Sequence, residues 1–351
     1  MQSERWNDGY FVGHEAATRQ MVMELLGRHT NYAKIQLDGQ CTSLDSDIID
    51  LAVKGSPSLS LRNIGWRSIT SVLSSESRDK IRNLEFTADV EYMEGEVTSD
   101  DFEPSLRTLA YGLTNLPALD RLSYYQIPIN LQLLQQSFGI VRTINQDTEL
   151  KCKASTLDLT MCDIVLDEDT NYEAAEVNSS VTSLIWTPDG RWITQPQLAV
   201  APLLLGFQNL KFLKLGRCKM TDLTDLYPHL TGKQTKLEIL DVRGNNIGWV
   251  GTRDFLTRLP EMASLRRILM YNNPFETEQV ADWLACGPLV HGSTCSWTTG
   301  PRIDILVDHW STARRARGPV DHPITLPHSN CRCRDLQPVG KKIGGNALQK
   351  Q

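Results

Sequence analysis

His322, His328, Cys331 and Cys333 are the densest set of potential metal ligands in the chain, but their H-x5-H-x2-C-x-C spacing matches no common zinc module. The other histidines considered, His14, His29, His229, His291 and His309, have no plausible nucleophile near them in sequence. A G-x-x-x-x-G-K-S/T phosphate loop, G-x-G-x-x-G, H-E-x-x-H and the G-x-S-x-G elbow are all absent. Carboxylates cluster twice without intervening basic residues. Seven lie between Asp89 and Glu103, and six between Asp163 and Glu176. Neither run has the alternating D-x-D-x-D-G spacing of a calcium loop, so both read as solvated acidic loops able to present a negative rim to a basic partner. The expectation is a chain with no catalytic residues, no metal and no cofactor, and so not an enzyme.

Such a chain must act through its surface, and composition limits the kinds of partner. The 351 residues carry 36 basic and 42 acidic side chains, a net charge of −6. That balance lacks the basic footprint that nucleic acid or a membrane surface demands. Leu198 to Phe207, an apolar run of 10 residues broken by Pro202, is too short to span a bilayer. The start, Met1-Gln-Ser-Glu-Arg-Trp, shows no basic-then-apolar signal pattern, and the eight cysteines are scattered, which reads as reduced thiols in the cytoplasm or nucleus and not a secreted protein. In that compartment the Asn178-Ser-Ser180 sequon has no consequence. At this length the chain exceeds the ~250–300 residues where one compact core stops growing, so two domains or an elongated repeat are expected.

Repetition decides between them. Leu210-Lys-Phe-Leu213-Lys-Leu215-Gly-Arg-Cys218-Lys-Met220 fits L-x-x-L-x-L-x-x-N/C-x-L. So do the stretches Leu237 to Ile247, with Asn245, Leu265 to Phe275, with Asn273, and Ala154 to Ile164, with Cys162. Chance gives roughly 0.24 matches at this apolar content, whereas four are present and in phase. Their second leucine-type positions, 157, 213, 240 and 268, are 56, 27 and 28 apart. The phase points to weaker copies at Leu184-Ile-Trp186, Leu122-Ser-Tyr124, Leu84-Glu-Phe86, Leu59-Ser-Leu61 and Ile35-Gln-Leu37, whose spacing is irregular upstream.

These motifs resemble the leucine-rich-repeat family, and the 27–29 spacing is similar to its ribonuclease-inhibitor-like subclass, over roughly 35–284. The resemblance implies an α/β fold, a curved solenoid with parallel strands on the concave face and helices on the convex face. It also implies that Cys162 and Cys218 face inward as structural residues, at the turn leaving each strand. The connections support helices independently, with apolar stripes at Phe255, Leu256 and Leu259, at Val280, Trp283 and Leu284, at Trp66, Ile69, Val72 and Leu73, and at Leu131 and Leu134. Ala17, Met21, Val22, Leu25 and Leu26 form a further stripe, read as an N-terminal cap or as the helix of an incomplete first repeat. The organisation expected is a capping helix segment over 1–30, a solenoid of about nine repeats over 31–310, irregular in the first four, and a mostly disordered basic tail over 311–351. Within that tail Arg314, Arg315 and Arg317 are a candidate nuclear-import signal set against a plain solvated tail.

The middle residue of each L-x-L points away from the core, which puts Gln36, Ser60, Glu85, Ser123, Asp158, Ile185, Lys214, Asp241 and Leu269 in one row. The next outward positions include Tyr125, Arg243 and Tyr271. Aromatics and arginine dominate interface energetics. We therefore take Glu85, Tyr125, Asp158, Lys214, Asp241, Arg243 and Tyr271 as the candidate protein-binding residues of a non-enzymatic interaction module or scaffold, with no small-molecule substrate. Residues 210–270 carry eleven basic against six acidic residues, which can orient a polar partner. The irregular early repeats also resemble the substrate-binding half of F-box receptors, which implies a ubiquitin-ligase adaptor as partner. Only about 30 residues precede Ile35, however, and they carry no recognisable F-box opening. Ribonuclease-inhibitor-like repeats also form the GTPase-activating protein of the Ran GTPase, an outside alternative whose functional residues have no counterpart identified in this chain.

Overall fold

The structure is a computed structural model that describes residues 8–12, 16–28, 31–38, 46–62, 66–87, 103–140, 152–166, 178–191, 193–231, 236–274 and 304–306. The basic tail, residues 89–102 and 167–176 of the acidic runs, the stripe at Val280, Trp283 and Leu284, and the His322 to Cys333 set lie outside the described residues.

Each L-x-L triplet is a strand because alternate side chains can bury against the connection that follows. The strands are β1 (Asp8–Val12), β2 (Lys34–Asp38), β3 (Ser58–Arg62), β4 (Asn83–Thr87), β5 (Arg121–Tyr125), β6 (Ile129–Asn130), β7 (Thr156–Thr160), β8 (Ile164–Val165), β9 (Ser183–Thr187), β10 (Phe212–Leu215), β11 (Ile239–Asp241), β12 (Arg267–Leu269) and β13 (Asp304–Leu306). Eleven of them form one sheet in chain order, every neighbouring pair parallel, while β6 and β8 pair separately. The register stacks leucine on leucine: Ile35 beside Leu59, then Leu84, Leu122, Leu157, Leu184, Leu213, Leu240 and Ile268. The irregular upstream spacing therefore costs nothing in register, because the excess residues sit in the connections. Two strands of the long sheet carry no triplet recognised in the sequence: β1 beside β2 and β13 beside β12. With β1 present, the first helix follows a strand of its own.

The helices are α1 (Ala16–Arg28), α2 (Ser46–Gly55), α3 (Trp66–Ser74), α4 (Glu103–Gly112), α5 (Leu131–Ser137), α6 (Val200–Leu204), α7 (Tyr227–Leu230) and α8 (Trp249–Thr257). α1 to α5 each pack against the next. Helices need ~8–10 Å between axes where strands need ~4.8 Å, so the sheet lines the inside of the curve. Ile69, Val72 and Leu73 of α3 and Phe255 and Leu256 of α8 are buried as the stripes require. α1 differs in detail: Val22 and Leu26 are buried, but Met21 is 56% exposed, because the buried stripe runs one position later.

Two polar residues, one of them read in a solvated acidic loop, are interior. Asp163, counted with the second acidic run, is fully buried and accepts from the Gly190 amide at 2.8 Å. Asn178 of the sequon is 2% exposed, donates to the Phe138 carbonyl at 2.9 Å and accepts from the Ser180 and Val181 amides. A glycan on that nitrogen is incompatible with the folded chain.

Candidate functional site

The open face is set by register. Gln36, Ser60, Glu85, Ser123, Asp158, Ile185, Lys214, Asp241 and Leu269 are successive neighbours across β2 to β12. The strands alternate, in β4 and β9 with Leu84 and Phe86 or Leu184 and Trp186 inward and the residues between them half-exposed. In β3, β5 and β7 the alternation breaks, because Ser60, Ser123 and Asp158 are buried although they point outward. Long side chains from neighbouring strands lie over them.

Those side chains build a polar lattice. Lys34 Nζ donates to both oxygens of Glu85 at 3.1 and 3.2 Å, and Ser60 Oγ donates to Glu85 Oε1 at 2.7 Å. Arg121 donates through Nε to Ser123 Oγ at 3.1 Å and through Nη2 to Asp158 Oδ2. Thr160 Oγ1 donates to the other Asp158 oxygen at 2.6 Å. Arg121 is thus held at two points while its side chain stays 47% exposed. A cleft of about 400 Å³ opens here, lined by Glu85, Arg121, Tyr125, Asp158, Arg62 and Thr160 among others.

Further along, Asp241 is 1% exposed and Arg243 covers it with paired bonds, Nε to Oδ1 at 2.8 Å and Nη2 to Oδ2 at 2.7 Å. The same guanidinium lies 5.9 Å from the Tyr271 ring centroid. The fork geometry holds Arg243 flat against the sheet. The seven candidate residues therefore fall into two groups: Glu85, Tyr125 and Asp158 around the cleft, and Lys214, Asp241, Arg243 and Tyr271 on β10 to β12 and the turns after them. Sequence reasoning missed Lys34, Arg121 and Arg267, which lie one outward position before the middle row. The same alternation locates them, two residues upstream of each middle residue.

On the inner side, each strand exit is closed by the residue at the N/C position. Asn245 donates to the carbonyls of Leu215 at 2.7 Å and Val242 at 2.9 Å, and accepts from the Met220 amide at 3.3 Å. Asn273 repeats this one unit later on the carbonyls of Val242 and Met270 and the Ile247 amide. Cys162 and Cys218 occupy the same place, fully buried, with Sγ 3.6 and 3.5 Å from the carbonyls of Thr160 and Gly216. The fold is a leucine-rich-repeat solenoid. Burial pushes both thiols well above the ordinary range and Cys152 up to about 11, so these three cysteines fill space instead of reacting.

No family profile and no curated protein matches the sequence. Solved structures similar to it include a Bacteroides fragilis protein, 11% identical over 61% of this chain and 66% of that one, with a TM-score of 0.36. An internalin from Listeria monocytogenes is 14% identical over 73% of this chain and 78% of its own, TM-score 0.28. TLR13, in complex with ssRNA13, is 12% identical over 71% of this chain and 36% of that chain, TM-score 0.28. At such scores the fold rests on the solenoid's own geometry. No helix among the described residues is long and apolar enough to cross a membrane.

Proposed function

We propose that the chain is a non-enzymatic interaction module, or scaffold, that binds a protein partner on the concave face in the cytoplasm or nucleus. The supporting observation is the state of its arginines. Arg121 and Arg243 are each held at two points by neighbouring side chains and still 47% and 42% exposed, with Tyr125 lining the same cleft as Arg121 and the Tyr271 ring beside Arg243. Ordering long side chains is a main cost of association, and here much of it is met before a partner arrives. The test replaces Asp241, Arg243 and Tyr271 together by alanine, which leaves no orphaned charge. Affinity capture with mass spectrometry should lose the partner retained by the intact chain while far-UV circular dichroism is unchanged. Undiminished capture would overturn the assignment.

The 27–29 spacing supports placing the chain in the ribonuclease-inhibitor-like subclass. The uneven spacing from β2 to β7 supports a second reading, an F-box-like substrate receptor without a recognisable F-box. Co-purification with the ubiquitin-ligase adaptor checks it, and a clean negative leaves scaffolding.

A further inference from the structure

The cleft on β2 to β7 is balanced in charge but not in hydrogen bonds. Its charged lining residues, among those described, are Arg62, Glu85, Arg121 and Asp158. Each already has its opposite: Arg62 with Asp38 at 3.7 Å, Glu85 with Lys34 at 3.1 Å, and Arg121 with Asp158. These pairs leave bonding positions open. A guanidinium has five N–H donors, and Arg121 uses one on Nε and one on Nη2, so both on Nη1 and the second on Nη2 remain. Glu85 Oε1 accepts from Lys34 and Ser60, whereas Oε2 accepts from Lys34 alone. Asp158 Oδ1 accepts twice from Thr160, whereas Oδ2 accepts from Arg121 alone. Gln36, Thr87, Tyr125 and Gln126 line the same cleft, and their half-exposed side chains make no hydrogen bond among the described residues.

We propose that this cleft binds a neutral sugar unit, free or carried by a partner. A charged ligand finds no unopposed charge there, and it would have to break a pair and leave one member uncompensated. The open positions include donors and acceptors side by side, so the ligand must offer both without carrying charge. A hydroxyl does so, with one donor and two acceptor positions, and a sugar ring sets several hydroxyls around its edge. Its C–H face suits an aromatic side chain such as Tyr125, which joins an apolar body to a polar tip. Room for it exists because Ser123 is short and stands in register between Glu85 and Asp158. The strands carrying those two acids are roughly 10 Å apart at ~4.8 Å per step. The opening of about 400 Å³ falls within the ~300–1,000 Å³ of small-ligand sites. This site goes beyond the docking reading and does not depend on it, since that reading is tested at Asp241, Arg243 and Tyr271.

The probes are the methyl glycosides of glucose, galactose, mannose and N-acetylglucosamine, each added to the full chain and followed by saturation-transfer difference NMR, with affinities from titration. At least one should bind, and its affinity should stay within about twofold as salt is raised, because no net charge is neutralised. Gln36→Ala with Tyr125→Ala removes two side chains that bond to nothing in the fold. Far-UV circular dichroism should therefore be unchanged while affinity falls at least about tenfold. Lys80→Ala with Arg253→Ala, at exposed residues away from the cleft, should leave affinity within about twofold. Failure of every glycoside to bind, indifference to the Gln36 and Tyr125 changes, or tighter binding of glucuronate or glucosamine than of glucose overturns the proposal. Enzymatic removal of glycans from the captured partner separates the two sources: lost capture places the sugar on the partner, and retained capture makes the ligand a free saccharide. If no glycoside binds while the Asp241, Arg243 and Tyr271 variant loses its partner, the sugar site fails and the docking reading stands.

Discussion

Replacing Asn245 by alanine is expected to destabilise the repeats around β11 by about 2–4 kcal/mol, for a reason that can be followed bond by bond. The amide of Asn245 is 3% exposed and serves the Leu215 carbonyl, the Val242 carbonyl and the Met220 amide. Val242 has a second donor, because Asn273 Nδ2 reaches the same oxygen at 3.0 Å. The single substitution therefore withdraws the asparagine from Leu215 and Met220 but leaves Val242 served, and each buried backbone group deprived of a partner costs about 1–3 kcal/mol. Asn273→Ala alone likewise leaves Val242 with Asn245. The double variant removes both donors, so its loss should exceed the sum of the singles by about 1–2 kcal/mol, a coupling that only a shared acceptor produces. Urea unfolding followed by far-UV circular dichroism gives the totals. Hydrogen exchange at the Met220 amide gives a local reading, needed because a solenoid can unfold unit by unit. A single-variant loss below about 0.5 kcal/mol, or strict additivity in the double variant, would refute the ladder as a stabilising device.

Gly206 has φ +82°, and an added Cβ would lie 2.5 Å from Ile140 Cγ2, so Gly206→Ala combines left-handed strain with overpacking and should cost about 2–4 kcal/mol. Gly190, at φ +87° with open space around it, isolates the strain, and Gly190→Ala should cost only about 1 kcal/mol when both variants are compared by urea unfolding. The His229 pKa is lowered from its ordinary 6.5 because burial disfavours the cation. As pH falls through about 6.5 the unfolded chain takes up this proton before the folded one, so stability should decline from pH 7 to 5.5. The decline should shrink in His229→Gln, and an identical pH slope in the variant would contradict it.

The strands were legible in the sequence to a degree that the helices were not, and the cause is physical. An L-x-L strand buries its two leucines whatever its connection does, so Leu84 and Leu122 stack directly although 38 residues separate them. A helix depends on its particular connection. α6 and α7 have only five and four residues and contain Pro202 and Pro228, which withhold backbone donors. β1 was not read because Asp8-Gly-Tyr-Phe-Val12 offers no leucine pair in phase. The candidate site was legible as rows but not as partnerships. Lys34 and Glu85 are 51 positions apart, and Arg121 and Asp158 are 37 apart, so only the register brings them together.

Net charge by segment is a weaker guide to this face than the count for 210–270 suggests. Of the eleven basic residues there, Arg258 stacks on Tyr227 at 4.4 Å beside Asp254, and Lys236 bonds Asn209 at 2.8 Å, neither on the outward rows. Arg243 is committed to Asp241. Arg267 stands in register beside Asp304 of β13. The segment count therefore overstates what the outward rows present, because charge is set strand by strand through register and not by position along the chain.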